Sequence, residues 1–188
     1  MQWAYSNRSQ NVGLPSMASL TLVAQTETLV LHGWQLPQGY DIRPVEENDA
    51  PALADLYLAA YSREIIQDLA AAEEEMRQTF SGEYGPLLAE LSPVVTATGQ
   101  VAATILTVAR APWPDTPAGL FLIEVITHPH HRRRGLARAG LRWVATRAQA
   151  QGFGTLALRV EAGNSGALAL YRALGFRDWL PEAEGERP

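Results

Sequence analysis

The stretch that most constrains this chain lies between residues 120 and 176. An apolar run, residues 120–127, leads into His128-Pro129-His130, then His131-Arg132-Arg133-Arg134-Gly135-Leu136-Ala137, and then a helical pattern that continues to about Gly152. The order reads as a strand, a basic loop and the start of a helix. Such a junction offers unpaired backbone N–H groups and the positive end of a helix dipole, which together suit phosphate or pyrophosphate. Gly135 lets the backbone approach a ligand closely, and small Ala137 leaves the first-turn amides uncovered. Three arginines alone describe a solvated basic patch; the residues downstream give them a context.

After the helix come a second strand, Thr155–Glu161, and the run from Asn164 to Phe176. Here the chain resembles the GNAT-family N-acetyltransferases. Arg132, Gly135 and Ala137 match the family pattern Arg/Gln-x-x-Gly-x-Gly/Ala. Asn164, Ala167, Tyr171, Gly175 and Phe176 match Asn-x-x-Ala-x-x-x-Tyr-x-x-x-Gly-Phe. The resemblance is strong over residues 120–176, weaker over 40–119 and absent before about residue 38. It implies an α/β fold: a single domain with a mixed, mostly antiparallel central sheet, splayed at the cofactor site and flanked by helices. It implies acetyl-CoA as acyl donor, with Ile126, Thr127, Arg132, Arg133, Arg134, Gly135, Leu136, Ala137, Asn164 and Ala167 around it. A backbone N–H near Val125 to Thr127 is expected to polarise the thioester carbonyl, Thr127 standing where the family more often has Val. Tyr171 is expected to protonate the departing thiolate, and Asn164 caps its helix, as Asn favours.

The residues suggest a base as well. Glu124 sits amid Phe121, Leu122, Ile123, Val125 and Ile126, and a carboxylate in such company is costly unless paired or useful. Burial raises its pKa toward the range that suits a general base. Strict alternation puts Leu122, Glu124 and Ile126 on one face and Ile123, Val125 and Thr127 on the other. The second candidate is Glu161, whose plainer reading is an ion pair with Arg159. His128, His130 and His131 lie in a turn without a nearby carboxylate pair, so they are read as loop residues by the cofactor entrance, and no metal is expected.

Composition excludes several classes. The formal charge of −5 argues against a nucleic-acid partner and favours a small anion held locally. With no Cys there is no disulfide, thiolate metal site or acyl-cysteine intermediate, so acyl transfer is direct or uses another nucleophile. No segment approaches 18 unbroken apolar residues, so a cytoplasmic protein without a membrane partner is expected.

The 188 residues suit one domain over 39–188 behind an N-terminal extension, 1–38. Within the extension, residues 19–24 and 28–32 read as two β-rich runs, a candidate hairpin. Tyr40 to Pro44 reads as a strand, and Glu47-Asn48-Asp49 as the N-cap of a helix bearing Leu53, Leu56, Tyr57 and Ala60. A second helix is expected over 64–80, burying Ile65, Ile66, Leu69, Met76 and Phe80, with Glu73-Glu74-Glu75 solvated. Residues 94–97 and 101–108 flank a Thr98-Gly99-Gln100 turn. Trp113, in a Pro-rich loop, is either a lid over the substrate or a hydrophobic plug on the sheet edge.

The expected function is transfer of an acetyl group to an amine of a small molecule or a protein. The rivals are a non-catalytic CoA-binding module and a nucleotide binder that imitates the loop; the absence of Gly-x-x-x-x-Gly-Lys-Ser/Thr counts against NTP hydrolysis. Few residues follow Phe176 to form the two strands that usually complete the family's sheet. Strand Thr155–Glu161 would then carry an open edge. Residues 19–32 are available to cover it, within one subunit or by exchange in a homodimer.

Overall fold

A computed structural model describes residues 19–31 and 35–180. Its strands are β1 (Ser19–Gln25), β2 (Tyr40–Pro44), β3 (Pro93–Ala97), β4 (Gln100–Val108), β5 (Phe121–Thr127), β6 (Thr155–Glu161) and β7 (Arg177–Asp178). The helices are α1 (Thr26–Leu31), α2 (Ala50–Ala60), α3 (Leu69–Phe80), α4 (Leu136–Ala150) and α5 (Ser165–Ala173). The strands form one sheet in the order β2-β3-β4-β5-β6-β1-β7. Every neighbouring pair is antiparallel except β5 and β6. One core, with Leu22, Leu29, Leu141, Val144 and Phe176, lies under α1, α4 and α5. The other, with Leu53, Leu56, Tyr57, Met76, Phe121 and Ile126, lies under α2 and α3. Among the described residues no helix is long and apolar enough to cross a membrane.

Two features of β5 position the site. Its parallel pairing with β6 covers only Phe121 with Ala157 and Leu122 with Leu158, after which the strands part. On its other edge the register against β4 shifts: Leu106 faces Glu124 but Thr107 faces Leu122, so Ile123 is the extra residue of a bulge. The bulge breaks the strict alternation expected from the sequence. Leu122 and Val125 join the core under α4 and α5, whereas Ile123 and Ile126 join the opposite one. Glu124 points to that second side, where α2 meets it.

The N-terminal residues differ from the expected hairpin. β1 pairs with β6 along all seven of its residues, from Ser19 opposite Glu161 to Gln25 opposite Thr155. The second run turns helical: Thr26 bonds the carbonyls of Phe153 (3.0 Å) and Gly154 (3.2 Å) through its hydroxyl, and the chain coils into α1 with Leu29 buried. Burial of that leucine beside α4 outweighs the modest β preference of Thr and Val. His32 lies outside the described residues. The edge of β6 is therefore covered within one chain, and β7 adds to the far side of β1.

Other differences are local. Asp49 stands at the N-cap position of α2, as expected, but its side chain makes no cap bond there: it bonds Arg43 (2.6 and 2.7 Å) and the Glu46 amide, and residues 47–49 form a 3-10 turn. The second helix begins at Leu69 because Asp68 caps it there, accepting from the Ala71 amide at 2.9 Å. Leu69, at the helix start, falls off the buried stripe of Ala72, Met76 and Thr79 and is exposed, while Ile65 and Ile66 are buried ahead of the helix. Glu75 is buried rather than solvated and accepts from the Tyr84 hydroxyl at 3.2 Å. The β3–β4 turn uses positive φ at both Thr98 (48°) and Gly99 (82°).

Because β1 lies between two strands and Leu22 is fully buried, Leu22→Ala should lower unfolding stability by about 2–5 kcal/mol. Denaturant unfolding measures this. A loss under roughly 1 kcal/mol would mean that β1 is not part of the core.

Candidate active site

The divergence of β5 from β6 opens a cleft of about 640 Å³. One wall is the end of β5, Ile126 and Thr127. The floor is the loop Arg132-Arg133-Arg134-Gly135 with Leu136 and Ala137 at the start of α4. The other wall is the amino end of α5, with Asn164 and Ala167. The residues that the sequence assigns to the cofactor thus surround one space, joined by Ala60, His131, Arg138, Gly166, Ala169 and Leu170. Past Leu122 the β6-facing edge of β5 has no ladder partner among the described residues.

The loop is shaped by its backbone. Gly135 is the N-cap of α4 with φ 82°, a left-handed conformation that costs glycine little. Arg133 also has positive φ, 64°. This doubly turned backbone leads into the start of α4 at the cleft, where the helix dipole adds positive potential. Arg132 does not simply extend outward. Its Nε donates to the Thr127 carbonyl and its Nη2 to the Ala60 carbonyl, both at 3.2 Å. The guanidinium braces the loop against the ends of β5 and α2. His131 receives a similar tether from Tyr40, whose hydroxyl is 2.9 Å from its Nδ1. Arg133 and Arg134 are exposed along the cleft. A glycine-lined helix start, mobile cations and an open strand edge fit an elongated ligand carrying a pyrophosphate and an amide-bearing arm.

Glu124 and Tyr171 are not part of the cleft lining; both are buried. Glu124 accepts hydrogen bonds from Tyr57, through Oε1, and from Tyr61, through Oε2 at 2.7 Å. Burial pushes its pKa up to about 7, while the two tyrosine hydroxyls pull it down. Tyr171 lies on α5, its ring edge-on to Phe176 at 5.5 Å between centroids. Burial, and then the charge of Glu124, raise its phenol above the usual range, so it keeps its proton at neutral pH. Asn164 Oδ1 accepts from the Ala167 amide at 3.1 Å and caps α5.

Glu161 is also buried, at the end of β6, and burial raises its pKa. Its expected partner Arg159 is salt-bridged to Asp115 at 2.7 Å and donates to the Thr21 hydroxyl at 3.3 Å. That bridge ties the Pro-rich loop to β6. Trp113 in the same loop packs edge-on to Phe121, 6.0 Å between centroids, as a plug would. Tyr57 and Tyr61 were missed as polar site residues. The signal was present: two phenols four residues apart, at the end of a helix rich in Leu and Ala.

The sequence matches the acetyltransferase (GNAT) family over residues 50–176. It is 34% identical over 126 residues to the ribosomal protein bS18-alanine N-acetyltransferase of Salmonella typhimurium, covering 64% of this chain and 80% of that protein. The Escherichia coli K12 protein of the same name is 36% identical over 70 residues, covering 34% of this chain and 47% of that protein, so the chain spans about half the length of that curated relative. A crystal structure of the Escherichia coli ribosomal-protein alanine N-acetyltransferase superposes with a TM-score of 0.56 at 27% identity, covering 75% of this chain and 79% of that one. With the family match spanning well over half of its length, from α2 to the Gly175-Phe176 pair, the chain belongs to the acetyltransferase (GNAT) family, whose members draw the acetyl group from acetyl-CoA.

Proposed function

We propose that this protein transfers an acetyl group from acetyl-CoA directly to an amine of a small-molecule or protein acceptor. The observation that carries the reading is the cleft where β5 parts from β6, with the buried Glu124 on β5, its carboxyl pKa up to about 7, and a buried, protonated Tyr171 on α5. Acetyl-CoA supplies an activated acyl group as a thioester. The phosphate-binding loop and the start of α4 hold the pyrophosphate, and the unpaired edge of β5 near Ile126 offers an N–H to the acyl carbonyl oxygen. Glu124, or a water that it holds, takes the proton of the attacking amine as the new C–N bond forms. The C–S bond breaks and Tyr171 gives its proton to the leaving sulfur. No covalent enzyme intermediate is needed, consistent with the absence of Cys.

Two carboxyls lie near the splay, and the reading favours Glu124. It stands on the strand that carries the polarising edge, and its carboxylate is held by two donors. The curated relatives acetylate an alanine of a ribosomal protein, which makes a peptide α-amine the first acceptor to test. Thiol release from acetyl-CoA across a panel of peptides and small amines tests the activity. CoA binding without turnover on any of them would favour a non-catalytic module.

Tyr171→Phe should lower kcat by roughly 10²–10⁴ with little change in acetyl-CoA affinity, because the hydroxyl is needed only as the thiolate leaves. A base with a pKa near 7 acts only when ionised, so the rate should fall as pH drops through about 7. Glu124→Gln should abolish that limb in pH–rate measurements. A limb that persists would move the assignment to Glu161.

The braced loop yields a binding prediction. Arg134→Ala removes a cation from the cleft, and Arg132→Ala removes the brace to Thr127 and Ala60. Each should weaken CoA binding by about 1.5–3 kcal/mol in calorimetry. Negligible losses in both would overturn the assignment of this loop to the cofactor.

A further inference from the structure

Helix α2 ends beside the site with an arrangement that simple packing does not require. Tyr57 and Tyr61 are four residues apart, so both face β5, and their rings lie 4.9 Å apart at 37°. Each hydroxyl reaches a different oxygen of Glu124. All three side chains are nearly closed to solvent: Tyr57 is 2% exposed, Tyr61 6% and Glu124 3%. Tyr61 is the C-cap, already extended at φ −97° and ψ 155°, yet its amide still bonds the Tyr57 carbonyl at 3.0 Å. The last residue of the helix, Ala60, is the one whose carbonyl Arg132 grips from the cofactor loop.

We propose that Tyr57 and Tyr61 are positioning residues which grip both oxygens of Glu124, fix its orientation and favour its ionised form. The proposal rests on the reading of Glu124 as the general base. A carboxylate among Phe121, Ile123 and Ile126 would, left to burial alone, take up a proton and lose its basicity at neutral pH. Two phenolic donors offset this, because each hydrogen bond favours the charged form. The titratable groups that face Glu124 are Tyr57 and Tyr61 from α2 and Tyr171 from α5, with Tyr84 beyond Tyr57. Among the described residues no cation pairs with it. Hydroxyls hold the charge without quenching it, whereas a salt-bridged carboxylate would be a much weaker base. The i, i+4 spacing also matters: a single donor would leave the carboxyl free to rotate about its last bond, and the second removes that freedom. By the same geometry the brace from Arg132 to Ala60 sets the end of α2 against the cofactor loop, so base and cofactor site share one support.

Direct titration of Glu124 tests this without any acceptor. In protein labelled with ¹³C-glutamate, the side-chain carboxyl resonance that disappears in Glu124→Gln identifies the group. Its midpoint should lie near 7 in the unaltered protein. It should rise by about one unit in Tyr61→Phe and likewise in Tyr57→Phe, each of which keeps the ring and loses one donor. Should Tyr57→Phe fail to fold, Tyr61→Phe, at the helix end, decides the matter alone. A lowered melting temperature with an unmoved midpoint would overturn the proposal and leave the hydroxyls a purely structural role. Once an acceptor is known, the rate limb near neutrality should move with the midpoint, cutting the rate below it by roughly tenfold. A midpoint that moves without the rate limb would support the tyrosine grip and refute Glu124 as base.

Discussion

The site depends on a failure of strand pairing. Among the described residues β5 and β6 are the one parallel pair in the sheet, and they stay bonded for two residue pairs before separating. An interrupted ladder exposes backbone donors and acceptors that must be satisfied by something else. Here the opening forms a cleft between the amino ends of α4 and α5, and a bound chain with amide groups can take the place of the missing strand. The bulge at Ile123 belongs to the same event. It lets β5 leave β6 while keeping its antiparallel ladder with β4, and it turns Glu124 toward α2. Opening the sheet and aiming the carboxylate are thus two results of one extra residue.

A sheet weakened in its middle needs support from its far side. β6 receives it from β1, which pairs along its whole length and buries Leu22 and Ala24. Gly175, at φ 92°, brings the Gly-Phe turn against α1: a Cβ built there would come within 2.6 Å of the Thr28 methyl. The close approach ties the residues after β1 to the end of α5, and so to Tyr171. Residues 19–31, which carry none of the family motifs, therefore help to fix the helix that carries the proposed acid.

The fold was legible where local signals were strong. The apolar run of β5, the glycine after the arginines and the Asn-capped α5 each follow from short-range preferences, and the two motifs fix their order. What escaped depends on contacts distant in sequence. The helical state of residues 26–31 reflects burial against α4, since their composition favours a strand as much as a helix. The face of Glu124 could not be read from alternation because a bulge is set by the partner strand. Glu75 looked like part of a solvated acidic run until Tyr84 met it from the loop beyond the helix. Arg132 matched its motif, yet its reach to Ala60 crosses 72 positions of sequence. The site residues were individually visible; their partners were not.

The electrostatics of the two proposed catalytic groups then follow from a single cause acting on different chemistry. Burial raises the pKa of any acid that becomes an anion on losing its proton. For Glu124 the rise brings a weak base up to about 7, close to the pH at which a base does most work, and the tyrosine donors keep it from going further. For Tyr171 the rise moves an already weak acid further from ionisation, with the charge of Glu124 adding to it. Its proton is therefore retained at neutral pH, and in the proposed reaction it would pass to the sulfur as the C–S bond breaks. An ionised Glu124 helps keep Tyr171 protonated, so the state in which Glu124 would accept a proton is also the one in which Tyr171 holds its own. The same burial acts on both groups, one held on β5 and the other on α5.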